Sequence, residues 1–118
     1  MKKIIILFCM MFMICSCGKE EVPTVQKVDC NTMEEMVNNG AILIDVRTSD
    51  EFKLGHLDSA ANMDVNNIST LLPETIEDKD AKIILYCKSG TRSAQAASTL
   101  IELGYTNVYD LGAMDKCA

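Results

Sequence analysis

Six consecutive residues, from Cys87 to Arg92, are the part of this sequence best suited to chemistry. Cys87 is a potential nucleophile, and Lys88 and Arg92 bring two positive charges close to it. The apolar run at 83–86 predicts a buried strand before the cysteine, and the Ala-rich run that follows predicts a helix from 92 to about 103. Loop N–H groups and the positive end of a helix dipole both stabilise a negative sulfur. The segment therefore predicts a reactive thiolate where a strand ends.

The residues between Cys87 and Arg92 suggest how such a loop is built. Gly90 is expected to supply the positive φ of a tight turn. Ser89 and Thr91 either offer hydroxyls to the sulfur or only shape the loop. The plainer alternatives are that Cys87 is an inert buried cysteine, that Lys88 is simply solvated, and that Arg92 pairs with an acidic surface residue.

The N-terminal segment has the features of a bacterial lipoprotein signal. Two lysines precede an apolar run at 4–14 that is too short to span a bilayer, and Ile14-Cys15-Ser16-Cys17 resembles a lipoprotein processing site. We therefore expect a signal peptide at 1–16, acylation of Cys17, a lipidated tether at 17–24 and a folded domain at 25–118. This places the protein in the cell envelope, anchored by lipid on the periplasmic face or cell surface. An ordinary secretory signal or a tethering tail is the alternative.

Composition excludes several classes of function. The chain has 118 residues and a formal charge of −6, which argues against nucleic-acid binding. Only Cys30, Cys87 and Cys117 follow the lipidated cysteine, so a disulfide framework is not expected. With one histidine the sequence predicts no metal site. Cys30 is expected to be packed beside a helix, and Cys117 to be incidental or a resolving thiol for Cys87.

The remaining pattern alternates strands and helices, which predicts an α/β domain with an open parallel sheet and helices on both faces. Strands are predicted at 25–28, 41–46, 60–63, 83–86 and 107–111. Asn31 or Thr32 is expected to cap a helix at 33–37, Thr48 or Ser49 a short turn at 50–52, and Pro73 to end a helix at 68–72. Ligand sites in such sheets lie at the carboxyl ends of strands, where Cys87 is placed.

Three segments in this order resemble the rhodanese-like domain family. They are the run from Leu43 to Phe52, the run from Gly55 to Asn62, and the run from Tyr86 to Ala94. The resemblance implies a three-layer α/β/α domain with a five-stranded parallel sheet, and sulfur transfer through a persulfide on Cys87 without a cofactor. Related phosphatases have one residue more between cysteine and arginine, so the four residues found here favour a sulfur-sized loop over a phosphate-sized one.

The resemblance also assigns supporting roles. It implies that Asp45 supports the catalytic loop, that Arg47 and Glu51 form ion pairs, and that His56 holds backbone rather than acting as a general base. The family's closing Gly-Gly turn and Trp-bearing helix are not matched after Leu111, so one face of the sheet is expected to be thinly covered.

These observations predict a sulfurtransferase that moves sulfane sulfur from a thiosulfate-like donor to a thiophilic acceptor. Lys88 and Arg92 would attract a small anionic donor, and a thiol or a cyanide-like acceptor would remove the sulfur from Cys87. Two alternatives remain: a sulfane-sulfur carrier or partner-binding module with little turnover, and a thiol redox protein that uses Cys87 with Cys117.

Overall fold

The computed structural model describes residues 22–117. The predicted signal peptide at 1–16, the predicted acylation site Cys17 and most of the predicted tether at 17–24 lie outside the described residues. Residues 22–25 lead into the first strand without regular structure. Within 22–117, the helices are too short or too polar to cross a membrane.

The centre of the domain is a five-stranded sheet in which every pair of neighbours is parallel. The spatial order is β1-β5-β4-β2-β3, so β4 lies in the middle. All five predicted strands are present, with ends that differ by a few residues. Their bounds are Gln26–Lys27 (β1), Ile42–Asp45 (β2), Ala61–Asn62 (β3), Lys82–Cys87 (β4) and Asn107–Ala113 (β5).

Four helices connect the strands, and a 3₁₀ turn follows the last strand. Their bounds are Cys30–Asn38 (α1), Ser49–Lys53 (α2), Ile68–Thr75 (α3), Thr91–Glu102 (α4) and Met114–Cys117 for the 3₁₀ turn. Thr48 caps α2, as one of the two predicted candidates. The cap of α1 is Asp29 rather than Asn31 or Thr32: its carboxylate accepts a hydrogen bond from the Thr32 N–H at 2.8 Å.

Pro73 lies inside α3 and does not end it as predicted. A proline in a helix lacks the N–H that would donate to the carbonyl four residues earlier, here that of Ser69. The helix continues only to Thr75, and the Ile76 N–H then donates to the Leu72 carbonyl at 2.7 Å. One missing bond in the last turn of a short helix is tolerated because Ile68 and Leu72 bury their side chains against the sheet.

Both faces of the sheet are covered, which confirms the three-layer α/β/α architecture. Successive residues of β4 point to opposite faces, as in any strand. Ile83, Leu85 and Cys87 join the core beneath α3 and α4, whereas Ile84 and Tyr86 join a second core beneath α1. One face was expected to be thinly covered, but the second core is packed by α1 and by the 3₁₀ turn, as the first is by α3 and α4.

A disulfide joins Cys30, the first residue of α1, to Cys117 in the 3₁₀ turn. The expectation that Cys117 is incidental is therefore wrong, as is the alternative that pairs it with Cys87. Cys30 was expected only to be packed beside a helix, and its cross-link was not predicted. Cys87 is the one free cysteine among residues 22–117. The pairing was missed because it depends on how the fold brings together positions separated by 87 residues.

Candidate active site

Cys87 is the last residue of β4, at the carboxyl edge of the sheet. Its Sγ accepts hydrogen bonds from two backbone N–H groups, that of Gly90 at 2.9 Å and that of Ser93 at 3.3 Å. Two converging donors are suited to a sulfur that carries negative charge. Cys87 has no exposed surface, and one side of it packs in the core beneath α4.

Gly90 shapes the loop, with a φ of 103° that favours glycine. This conformation turns the Gly90 N–H back toward the sulfur and starts α4 at Thr91. The buried Ser93 then donates its hydroxyl to the Gly90 carbonyl at 3.1 Å. Ser93 therefore fixes the loop in addition to contacting the sulfur. This role of Ser93 was not predicted from the sequence, although its position in the first turn of the helix was an available signal.

Arg92 is paired with Glu51 of α2. Its two terminal nitrogens lie 2.8 and 3.1 Å from the two carboxylate oxygens, a bidentate contact. The hydrogen bonds from Arg92 lower the pKa of Glu51 to about 2, and Glu51 raises the pKa of Arg92. The pair joins the helix that follows the loop to the helix that follows β2. Arg92 was expected to offer its positive charge to a sulfur donor, but the carboxylate of Glu51 compensates this charge.

Asp45 and Arg47 form a second, more deeply buried ion pair. Arg47 Nη2 lies 2.7 Å from Asp45 Oδ2 and also donates to the Gly55 carbonyl at 2.7 Å. The hydrogen bonds to Asp45 raise the pKa of Arg47. Within the described residues, the Asp45 carboxylate bonds to Arg47 rather than to the loop that starts at Cys87. Asn62 adds support by donating to the carbonyls of Asp45 and Arg47, both at 3.0 Å.

Three of the predicted loop residues are exposed: Lys88, Ser89 and Thr91. In the described part of the chain, Lys88 forms no ion pair, and neither hydroxyl hydrogen-bonds to the sulfur. The donors to the sulfur in this structure are thus backbone N–H groups rather than these hydroxyls.

His56 holds backbone in this structure. Its Nδ1 lies 2.9 Å from the Phe52 carbonyl oxygen, and its ring stacks on that of Phe52 at a centroid distance of 3.7 Å. The next residue is held by Tyr86, whose hydroxyl oxygen accepts from the Leu57 N–H at 3.0 Å. Burial, together with the Asp45 carboxylate, raises the pKa of Tyr86 to about 12. Tyr86 thus positions the 56–57 segment, a role that the sequence analysis did not predict.

An open cleft of about 470 Å³ lies beside the loop. Its charged lining includes Arg47, Lys88, Glu51 and Asp115. Its apolar lining consists of Leu54, Leu57 and Met114. Residues 22–117 contain no group of histidine, cysteine and acidic side chains that could hold a metal ion.

Comparison with known proteins identifies the family. The model of the rhodanese-like domain matches residues 29–116. The chain belongs to the rhodanese-like domain family. The match includes the strand that carries Cys87, the loop and α4, so the site described above lies within the family's own domain.

Three relatives show the range of this family. A thiosulfate sulfurtransferase, GlpE, from Ectopseudomonas mendocina is 30% identical over 86 residues, which are 73% of this chain and 77% of that protein. A tRNA uridine(34) hydroxylase from Buchnera aphidicola is 36% identical over 87 residues, which are 70% of this chain but 27% of the hydroxylase. The chain thus spans about a quarter of that larger enzyme. The human single-domain sulfurtransferase TSTD1 has the same fold, with a TM-score of 0.70 at 22% identity, covering 80% of this chain and 96% of TSTD1.

Proposed function

We propose that this rhodanese-like protein is a sulfurtransferase that carries sulfane sulfur as a persulfide on Cys87. The supporting observation is the geometry around Sγ, where the N–H groups of Gly90 and Ser93 converge on the sulfur of a cysteine at the end of a parallel strand. The similarity to thiosulfate sulfurtransferases that are of similar length to this chain supports the same activity.

The proposed reaction has two steps. In the first, the Cys87 thiolate attacks the outer sulfur of a small anionic donor, the sulfur–sulfur bond of the donor breaks with its electron pair, and a sulfite-like group leaves. Cys87 then holds an outer sulfur with one negative charge. In the second step, a thiol or a cyanide-like acceptor attacks that outer sulfur and regenerates the thiolate. The N–H donors stabilise the negative sulfur in both forms, and no cofactor takes part.

The burial of Cys87 adds a requirement to this reaction. Because the side chain has no exposed surface, a donor reaches Sγ only when residues around it move, and the neighbouring Lys88, Ser89 and Thr91 are exposed. The Arg92–Glu51 pair ties the first turn of α4, directly after this loop, to α2. We therefore expect loop opening to be part of the catalytic cycle, as it is in many enzymes whose sites close over the reacting atoms.

The test is intact-mass analysis of the folded protein before and after addition of thiosulfate or a thiosulfonate. The expected result is the gain of one sulfur atom per chain, which a thiol or cyanide then removes. The variant Cys87→Ser should gain no sulfur. A wild-type protein that gains no sulfur from any of these donors would refute the proposal, whereas sulfur that loads but is not released by any acceptor would favour a carrier with little turnover.

We also propose that the enzyme works in the cell envelope, held by lipid on Cys17. The support is the basic and apolar N-terminal segment that ends in Ile14-Cys15-Ser16-Cys17. In a bacterial expression host fed a labelled fatty acid, the full chain should take up the label and fractionate with membranes, and the variant Cys17→Ala should do neither. Wild-type protein that takes up no label and remains in the soluble fraction would contradict the lipid anchor.

A further inference from the structure

The cleft beside the Cys87 loop has no net charge to offer a dianionic donor. Its lining carries two cations, Arg47 and Lys88, and two carboxylates, Glu51 and Asp115. Arg47 is already bonded to Asp45, and Glu51 is bonded to Arg92. Adding Asp45 and Arg92 to the count keeps the charges balanced. The reacting thiolate adds a negative charge, and the whole chain has a formal charge of −6. A doubly charged donor therefore meets net repulsion here.

The same cleft offers apolar surface. Leu54 is 89% exposed, the largest exposed fraction among the large hydrophobic residues in the described part of the chain. It faces the cleft together with Leu57 and Met114. The backbone of Leu57 is held by Tyr86, so this part of the wall is fixed in place. The volume of about 470 Å³ lies in the range of small-molecule sites, which are largely apolar with a few polar groups that set orientation.

We propose that the sulfur donor of this protein is an organic sulfane-sulfur compound with an apolar body and a single negative charge, and that Leu54 contributes to selecting it. This inference rests on the proposed sulfur transfer through Cys87 and names the class of its donor. The apolar body lies against Leu54, Leu57 and Met114, and the charged sulfur end points toward Lys88 and the loop.

The loading step balances for such a donor. With a thiosulfonate, R–SO₂–S⁻, the Cys87 thiolate forms a bond to the outer sulfur and the bond between the two sulfurs of the donor breaks. The electron pair of that bond leaves on the sulfinate, R–SO₂⁻. The products are a Cys87 persulfide anion and a sulfinate, so charge and electrons are conserved and no other oxidant or reductant is required.

Two thiosulfonates that share the reacting group and the charge provide the test. Methanethiosulfonate anion carries a methyl group, benzenethiosulfonate anion carries a phenyl ring, and thiosulfate is the dianion without an apolar body. The loading rate of Cys87 is measured by rapid quench and intact mass for each donor. Each loading rate is divided by the rate at which the same donor reacts with a small free thiol. This corrected loading rate removes differences in the intrinsic reactivity of the donors.

The corrected loading rate of the phenyl donor is expected to be about tenfold higher than that of the methyl donor, because the phenyl ring covers apolar surface of the cleft. Thiosulfate should be the slowest of the three. Leu54→Ser should reduce the preference for the phenyl donor to about two- to threefold. The matched control is Leu71→Ser, an exposed leucine of α3 outside the cleft, which should keep the full preference.

The outcomes separate the two proposals. If all donors load Cys87 but the phenyl donor shows no preference, or if Leu54→Ser and Leu71→Ser behave alike, the inference about the donor is wrong and sulfur transfer stands. Faster corrected loading by thiosulfate than by the phenyl donor would overturn it as well. If no donor loads Cys87, sulfur transfer itself fails and the inference fails with it.

Discussion

The disulfide between Cys30 and Cys117 should contribute a large part of the stability of this domain. The perturbation is the double variant Cys30→Ser/Cys117→Ser, which removes the cross-link and keeps the side chains small and polar. The two positions are 87 residues apart, so the cross-link closes almost the whole described domain into one loop in the unfolded chain.

The size of the effect follows from loop closure. For a separation of 87 residues, the chain-entropy relation gives about 4.6 kcal/mol at room temperature. Measured values usually fall below this relation because unfolded chains retain structure, so the expected loss is about 2–4 kcal/mol in the free energy of unfolding. A domain of this size has a total stability of about 5–15 kcal/mol, so the variant remains folded but with a smaller margin.

Urea unfolding followed by far-ultraviolet circular dichroism measures the difference. Wild-type protein reduced with dithiothreitol should unfold like the double variant, and the reductant should not change the variant further. Cys87→Ser is the control for the reductant: it keeps the Cys30–Cys117 cross-link, so dithiothreitol should lower its stability as much as that of the wild type. A double variant within about 0.5 kcal/mol of the oxidised wild type would refute the reasoning, since that is the size of an ordinary surface substitution.

Three further substitutions test the site. Gly90→Ala should cost about 1–2 kcal/mol in urea unfolding and slow sulfur loading, because alanine is strained at a φ of 103°; unchanged stability would contradict that account of the loop. Glu51→Gln should speed loading by thiosulfate more than loading by methanethiosulfonate, because it frees Arg92. In wild-type protein the Glu51–Arg92 ion pair is complete above pH 4.5 and is lost only as the pH falls through about 2, the lowered pKa of Glu51. The ratio of the loading rate with thiosulfate to that with methanethiosulfonate should therefore stay constant from pH 5 to 7. Asp45→Asn should cost about 3 kcal/mol in the same unfolding assay, because it leaves the 6% exposed Arg47 without its counter-charge; a cost below about 1 kcal/mol would show that this pair is not needed.

Local pattern was enough to predict the layered fold and the position of Cys87 at the end of a strand. The strand before Cys87, the turn at Gly90 and the helix after it are all set by neighbouring residues, and each was predicted within one or two residues. The alternation of strands and helices then fixed the layered architecture, because parallel connections allow few other arrangements.

What escaped prediction depends on distant parts of the chain. Arg92 and Glu51 are 41 residues apart, and the compensation of one charge by the other appears only when α2 and α4 are placed side by side. The Cys30–Cys117 pair depends in the same way on the packing of the 3₁₀ turn against α1. The cap of α1 was misplaced for a different reason: several neighbouring residues are able to cap, and the backbone path selects Asp29.

The complete burial of Cys87 has a consequence for the redox state of the protein. Thiol–disulfide exchange requires the attacking thiolate to reach a disulfide sulfur, so its rate depends on access as well as on charge. Cys87 lies beneath α4, whereas Cys30 and Cys117 lie on the opposite face of the sheet. The sheet therefore keeps the thiol away from the cross-link. The fold thus separates an oxidised cysteine pair from a free thiol, which hinders disulfide exchange between them within one chain.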